Sequence, residues 1–428
     1  MGLLPHWRLT TDAVVAPDER LPWGQTLALG LQHVVAMFGS TVLAPLLMGF
    51  DPNTAILFSG IGTLIFFVIV GGRVPSYLGS SFAFIAVVIA ATGYGGPGPN
   101  PNIALALGGI FVCGLIYGAV GLVVTLAGYR WIEALMPPVV TGTIVAAIGL
   151  NLAPIAVKGI EASGFDTAIG LLTVVAVGLV AVQGRGSWRR LPILLGGLFA
   201  YGIYALLANG LGLAHPIDFS AVAAAAWLGA PNLVAPRFDG PAMVLIAPVA
   251  LVLIAENLGH LKAVGAMTGR NLDPYIGRAF LGDGIATMVA ALGGGTGVTT
   301  YAENIGVMAV TRIYSTLVFV VAAAIAILLG FSPKFGAAIL TIPGPVLGGL
   351  AIVVFGLIAA TAGRIWVENH VDFADARNLI TAGVGLTLGA GDLALHLGGF
   401  SFGGIGTATF GAIILYQLLN SRRSREIP

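Results

Sequence analysis

The sequence predicts an all-α polytopic membrane protein of about fourteen spans, arranged as two inverted seven-span repeats. Three observations carry that expectation. Only 9% of the residues are charged, 57% are hydrophobic, and the mean hydropathy is +0.98, whereas a soluble domain carries roughly a quarter charged residues to coat its surface. Apolar runs of about twenty residues, the length that crosses a bilayer, recur to the end of the chain. The basic residues between those runs fall almost entirely on one side.

Residues 1–24 read as a cytoplasmic N-terminal segment. Arg8, Asp12, Asp18, Glu19 and Arg20 interrupt it, and no short apolar core leads to a small-residue cleavage site. The first repeat, 25–212, holds runs near 26–48, 54–71, 78–92, 103–127, 138–157, 167–183 and 191–212. A connector, 213–240, leads to the second repeat, 241–420. Its runs lie near 241–264, 276–293, 298–311, 315–331, 343–362, 377–391 and 402–420. Residues 421–428 form a cytoplasmic tail. The third and tenth runs are short and interrupted by polar residues. Short extended segments are expected in both.

Charge placement tests this division. Of 19 Lys and Arg, only Lys158, Arg237 and Lys334 fall in or beside loops assigned to the outside. The others, among them Arg73, Arg130, Arg185, Arg189, Arg190, Arg270, Arg278, Arg312, Arg364, Arg377 and Arg422, fall on the cytoplasmic side, as the positive-inside rule requires. Both termini are then cytoplasmic. A twelve-span reading that drops the third and tenth runs scrambles the pattern. The 63 glycines suit helices whose backbones approach closely in lipid. A net charge of +1 gives no reason to expect a nucleic-acid partner. The single cysteine, Cys113, excludes an internal disulfide and reads as a small packed side chain.

The two halves also resemble each other. Gly60, Gly62, Gly71 and Gly72 recur 222 residues later as Gly282, Gly284, Gly293 and Gly294. Pro138, Val139, Gly142, Gly149 and Leu150 recur 207 residues later as Pro345, Val346, Gly349, Gly356 and Leu357. An odd number of spans per repeat inverts the second copy. Inverted repeats mark secondary transporters, whose sites lie near the midplane at interrupted helices.

Ionisable groups at lipid depth are costly and point to function. They are His33, Glu256, His260, Asp283 and Glu303. Glu256 and His260, in A-E-N-L-G-H-L, lie four residues apart on one helix face. A carboxylate and an imidazole in contact can share a proton, and no third ligand for a metal accompanies them. Glu303 follows Val298-Thr299-Thr300 and a glycine run, which reads as an extended piece entering a short helix. Such backbone is tolerated in a membrane where it lines a cavity, and the half-helix then offers free N–H groups. The 222 offset carries Ser81 of L-G-S-S-F-A-F onto Glu303. Two half-helix ends facing each other, with an aromatic ring on one and a carboxylate on the other, suit a flat polar heterocycle. His33 reads as a hydrogen-bonding support for the site. Asp283 is a cap or a structural acceptor. Lys262, Glu368 and Asp392 read as snorkelling or loop charges.

The strings Y-L-G-S-S-F-A-F, A-E-N-L-G-H and Y-A-E-N-I-G-V-M-A-V-T-R-I-Y-S-T resemble the nucleobase–ascorbate transporter family, in its bacterial uracil permease branch. The resemblance covers nearly the whole chain. It implies a core domain of spans 1–4 and 8–11 and a gate domain of spans 5–7 and 12–14. It also implies proton symport and a homodimer in the bacterial cytoplasmic (inner) membrane. By motif match Phe82, Glu256, Ala302 and Glu303 stand where uracil permeases contact the base. His260 stands beside Glu256, the coupling glutamate, and Glu256, His260, His33, Tyr301 and Asn304 are expected to serve proton coupling and support of the site. Two positions depart from the pattern: Ala302 replaces a glycine and Phe355 replaces a tyrosine.

The expectation is proton-coupled import of uracil, or of thymine or another pyrimidine base, by alternating access. Protons serve as the coupling ion, and no metal or other cofactor is expected. A purine or xanthine permease is the alternative within the family. An anion carrier would favour basic groups at the half-helix ends, and a membrane-embedded enzyme would need a nucleophile or metal cluster beside the carboxylates; neither is seen in the sequence. Saturable, pH-dependent uptake separates a carrier from the remaining alternative, a passive channel.

Overall fold

The fold, a computed structural model, describes residues 5–96, 98–185, 191–397 and 400–420. Arg189, Arg190 and the tail 421–428 lie outside the described residues. The first half begins with two short strands, β1 (Arg8–Leu9) and β2 (Glu19–Arg20), followed by helices α1 (Trp23–Met48) and α2 (Pro52–Ile69). Strand β3 (Leu78–Ser80) enters a 3-10 turn (Phe82–Phe84) that continues as α3 (Ile85–Thr92). Then come α4 (Ile103–Ala127), α5 (Arg130–Leu135), α6 (Pro138–Lys158), α7 (Gly164–Gln183) and α8 (Pro192–Ala205). A π-turn, Leu206–Gly210, extends α8, and α9 (Ser220–Ala224) lies in the connector.

The second half starts with α10 (Gly240–Ile246) and α11 (Val249–Thr268), which share one apolar run. Next are α12 (Ile276–Gly293), strand β4 (Val298–Thr300) and α13 (Ala302–Thr311). Helices α14 (Thr316–Gly330) and α15 (Pro333–Leu340) meet at an 82° bend. Then α16 (Gly344–Glu368) and α17 (Ala376–Ala390) lead to a hairpin, β5 (Leu395–Leu397) and β6 (Phe400–Phe402), and finally α18 (Gly404–Asn420).

Among the described residues, nine helical segments are long and apolar enough to cross a membrane, or ten if the bent pair is one span. Their exposed faces are apolar: Leu122, Val123 and Leu126 on α4, Leu179 and Val182 on α7, Leu198 and Phe199 on α8 all point outward. A surface of that kind belongs against lipid.

Local chemistry sets the helix ends. Asp51 caps α2 by accepting from Asn53 N–H, with Pro52 in the first turn, where its missing N–H is harmless. Gly49 closes α1 and Gly269 closes α11 in the left-handed region. Small residues set the packing. A Cβ built on Gly284 of α12 would stand 2.4 Å from the Gly118 nitrogen of α4, so these two helices meet backbone to backbone. One group of helices packs α4 on α12, α2 on α12 and α14, and α1 on α14. Another packs α6 on α16, α17 and α18, and α7 on α8 and α16. Both groups draw on both halves of the chain.

Residues 5–22 are more than a lead-in. Val15, fully buried, donates its N–H to Arg312 O (3.0 Å) and accepts from Tyr314 N–H (2.8 Å), bridging the turn between α13 and α14. Trp7 Nε1 donates to Thr316 Oγ1 (2.9 Å) and its ring stacks on Phe67 at 5.9 Å. Asp18 pairs with Arg270 in the turn after α11, and Arg8 pairs with Glu19. The segment ties the α13–α14 turn, the turn after α11 and the end of α2 together.

Candidate functional site

Strands β3 and β4, from opposite halves, pair antiparallel with Leu78 opposite Thr300, Gly79 opposite Thr299 and Ser80 opposite Val298. The ladder continues at both ends, Ser81 N–H to Gly297 O and Tyr301 N–H to Tyr77 O, each 3.0 Å. Extended backbone buried in a membrane protein must satisfy its polar groups internally, and each interrupted run supplies what the other lacks. Antiparallel pairing sends α3 and α13 away in opposite directions. The N-termini of two half-helices are left near one another. Ser81 caps the first, accepting from Ala83 N–H (3.3 Å). Gly79 is required: a Cβ there would lie 2.6 Å from the Tyr301 ring.

Phe82 opens the 3-10 turn, half-buried, its ring edge-on to the buried Phe355 of α16 at 5.9 Å and 83°. Ala302 is the first residue of α13 and is exposed; Glu303 follows it, half-buried. Glu256 lies mid-way along α11, half-buried, without a hydrogen-bond partner among the described residues. Glu256 on α11 and Glu303 on α13 sit on two helices that pack against each other. The structure therefore brings an aromatic ring, a half-helix start and two carboxylates to one accessible region.

His260 lies one turn beyond Glu256, yet its Nδ1 meets Thr300 Oγ1 of β4 at 2.8 Å. The i, i+4 spacing puts the two side chains on one face, as the sequence requires, but the imidazole bonds the strand and not the carboxylate. Thr300 Oγ1 in turn donates to Asn257 Oδ1 (3.3 Å), and Asn257 Nδ2 donates to Asp283 (2.6 Å) and to the Tyr117 hydroxyl (2.7 Å). Tyr117 also donates to Asp283 (3.2 Å). Asp283 is fully buried, so its role is that of an acceptor within α12, not a cap.

Tyr301, 4% exposed, donates its hydroxyl to Ser80 O (2.8 Å) and accepts from Thr41 Oγ1 (3.2 Å). Asn304 Nδ2 reaches His33 Nδ1 (2.9 Å) and donates to His33 O (3.2 Å); the His33 ring also lies 4.6 Å from Phe319. His33 thus meets the residue after Glu303 and not Glu303 itself. Ser40 of α1 donates to Glu303 Oε1.

A repeated signal underlies this arrangement. Glu-Asn occurs at 256–257 and again at 303–304. Neighbouring helix positions point about 100° apart, so burying Asn257 and Asn304, each 0% exposed, turns the preceding glutamate toward the accessible side. Sequence reading found the glutamates. It missed Ser40, Thr41, Tyr117, Asn257 and Thr300, whose residue types are ordinary in apolar helices and strands.

Three other charges, expected as snorkelling or loop residues, each find a partner at the surface or in a turn. Lys262 pairs with Asp273 (2.9 Å) and Glu133 (3.3 Å) and sits over the Tyr129 ring at 4.4 Å. Asp392 accepts from Asn151 (2.9 Å) and from Gly404 N–H (3.1 Å), joining α6 to the start of α18. Glu368 pairs with Arg364 one turn away, at 2.8 Å.

Comparison with known proteins identifies the family. A model described as Permease family matches residues 24–398. The chain is 64% identical over 428 residues to the protein named "Putative pyrimidine permease RutG" of Escherichia coli (strain K12), covering 99% of this chain and 97% of that one. It is 43% identical over 421 residues to the "Uracil permease" of Bacillus caldolyticus, covering 95% and 94%. Among solved structures, the transmembrane domain of a cyanobacterium bicarbonate transporter, BicA, superposes with a TM-score of 0.60 at 16% identity, over 92% of this chain and 97% of that one. That last likeness is one of fold. The chain belongs to the permease family, the nucleobase–ascorbate transporters that its motifs resemble, and is a multi-pass membrane transporter rather than an enzyme.

Proposed function

We propose that this protein imports uracil, or a similar pyrimidine base, together with protons across the bacterial cytoplasmic membrane. The observation that carries this reading is the β3–β4 pairing, which sets two half-helix N-termini beside the carboxylates of Glu256 and Glu303. Uracil offers two N–H donors and two carbonyl acceptors in one plane. Glu256 accepts from a ring N–H, first-turn N–H groups near Phe82 and Ala302 donate to carbonyls, and the Phe82 ring covers one face. Glu303 holds the site together or takes a second N–H. The relatives named as pyrimidine and uracil permeases support this substrate class.

Coupling runs through Glu256. A carboxylate with no fixed protein partner is costly to bury while charged; a proton removes that cost and lets the loaded site move. His260, bonded to Thr300, holds β4 against α11 beside this group. The path is alternating access in a fourteen-span fold of two inverted sevens, with both termini cytoplasmic. The two packing groups support a core of spans 1–4 and 8–11 moving against a gate of spans 5–7 and 12–14, with the Phe82–Phe355 contact between them. We assign the working unit as a homodimer, as the family resemblance implies.

Uptake of labelled uracil by proteoliposomes tests the reading. An inward proton gradient should drive accumulation, a protonophore should collapse it, and unlabelled pyrimidine bases should compete ahead of xanthine. Accumulation driven by sodium at constant pH, or preferential displacement by xanthine, would overturn it.

A further inference from the structure

Ser40 lies in the middle of α1 and is fully buried. A hydroxyl inside a helix ordinarily bonds back to the carbonyl four residues earlier. Thr63, Thr143, Thr173 and Thr409 all do so, to Ser59 O, Val139 O, Ile169 O and Ile405 O. Ser40 instead leaves its helix and donates to Glu303 Oε1. Thr41, next in sequence, donates to the Tyr301 hydroxyl at 3.2 Å. Helix α1 therefore grips both residues that flank Ala302, and Ser40 supplies the only bond from another residue's side chain to the Glu303 carboxylate among the described residues.

A carboxylate presents two oxygens with about four lone-pair directions. Free to rotate, it can meet a ring N–H at several angles and accept substituted bases. With Oε1 committed to Ser40, the carboxylate plane is fixed and Oε2 remains for the ligand. We infer that Ser40 is a specificity-determining positioning residue, which fixes Glu303 so that one oxygen reads one ring N–H of the base. This rests on the reading of Glu303 as part of the base site.

Calorimetric titration of purified protein with uracil, 1-methyluracil and 3-methyluracil tests it. The two isomers block different ring N–H groups, so wild type should separate them, and the isomer whose penalty Glu303→Ala relieves is the one that blocks the N–H facing Glu303. Ser40→Ala should lower uracil affinity roughly tenfold, the scale of a lost hydrogen bond to a charged group, and should narrow the gap between the two isomers. In a Glu303→Ala background, Ser40→Ala should change nothing further, because the two residues act as one unit. A purely structural serine would not move the isomer ratio. Weak binding by Glu303→Ala with wild-type affinity and isomer ratio in Ser40→Ala overturns this inference and leaves the base site standing. Wild-type binding by Glu303→Ala overturns both.

Discussion

At the scale of single residues, the site combines groups that differ sharply in how visible they are from sequence. Glu303 is the one carboxylate on α13, and removing it leaves Ser40 and the bound base short of an acceptor. Glu303→Ala should therefore weaken uracil binding by about 1–3 kcal/mol or more, roughly ten- to a hundredfold. Ala302→Gly should leave uracil affinity nearly unchanged, since glycine retains the N–H, and should shift the range of bases instead. Titration of the two folded variants against a panel of bases decides between these outcomes; equal losses would remove the distinction. Glu256, Glu303 and His260 are legible because charge and imidazole in apolar runs are rare. Ser40 and Thr41 are not, because a hydroxyl on a membrane helix usually serves its own backbone. The available clue was spacing: Ser40 lies seven residues, two helical turns, after His33, on the same face of α1.

Elements show the same division. The interruptions at the third and tenth runs are read from glycines and β-branched residues, and the structure places β3 and β4 there. Their mutual pairing is a contact between residues more than two hundred positions apart, which local pattern does not encode. The eighth run reads as continuous, yet Pro248, which lacks an N–H, separates α10 from α11. The segment 5–22 is charged enough to look solvated, but Val15 and Leu21 are buried. Its hold on the α13–α14 turn should be mostly apolar. Val15→Ala should cost about 2 kcal/mol from two lost methyl groups. Asp18→Asn, which breaks a half-exposed ion pair, should cost about 0.2–1 kcal/mol. Hydrogen exchange at Tyr314 N–H would report both; a larger effect from Asp18→Asn would contradict the apolar account. The strap should also loosen in acid. The Ala16 N–H and then the Arg8 guanidinium hold the Glu19 carboxyl below its usual range. A group whose folded pKa is depressed stabilises fully above its unfolded value, here 4.5, and that contribution is lost as pH falls through the lower folded value. The protection of Tyr314 N–H, relative to its intrinsic exchange rate at each pH, should fall in that window in wild type and less so in Glu19→Gln.

For the whole molecule, composition and charge placement indicate a many-span membrane protein, and the glycine and proline offsets are the basis for expecting two related halves. Helices of the two halves interleave, α4 on α12 and α6 on α16, so neither half forms a separate body. That interleaving was not legible, because it depends on which small-residue faces meet, as at Gly118 and Gly284. Phe82, beside the paired segments of one packing group, touches the other group through Phe355, and the proposed transport cycle is built on that contact. The central claim is that a base bound there moves together with a proton carried by Glu256. Proteoliposomes loaded with a pH-sensitive dye test it most directly. When uracil is added outside at equal pH, wild-type protein should acidify the interior as uracil enters, and Glu256→Gln should exchange uracil across the membrane without acidification. Uracil entry without acidification in wild type, or undiminished acidification by Glu256→Gln, would contradict the account.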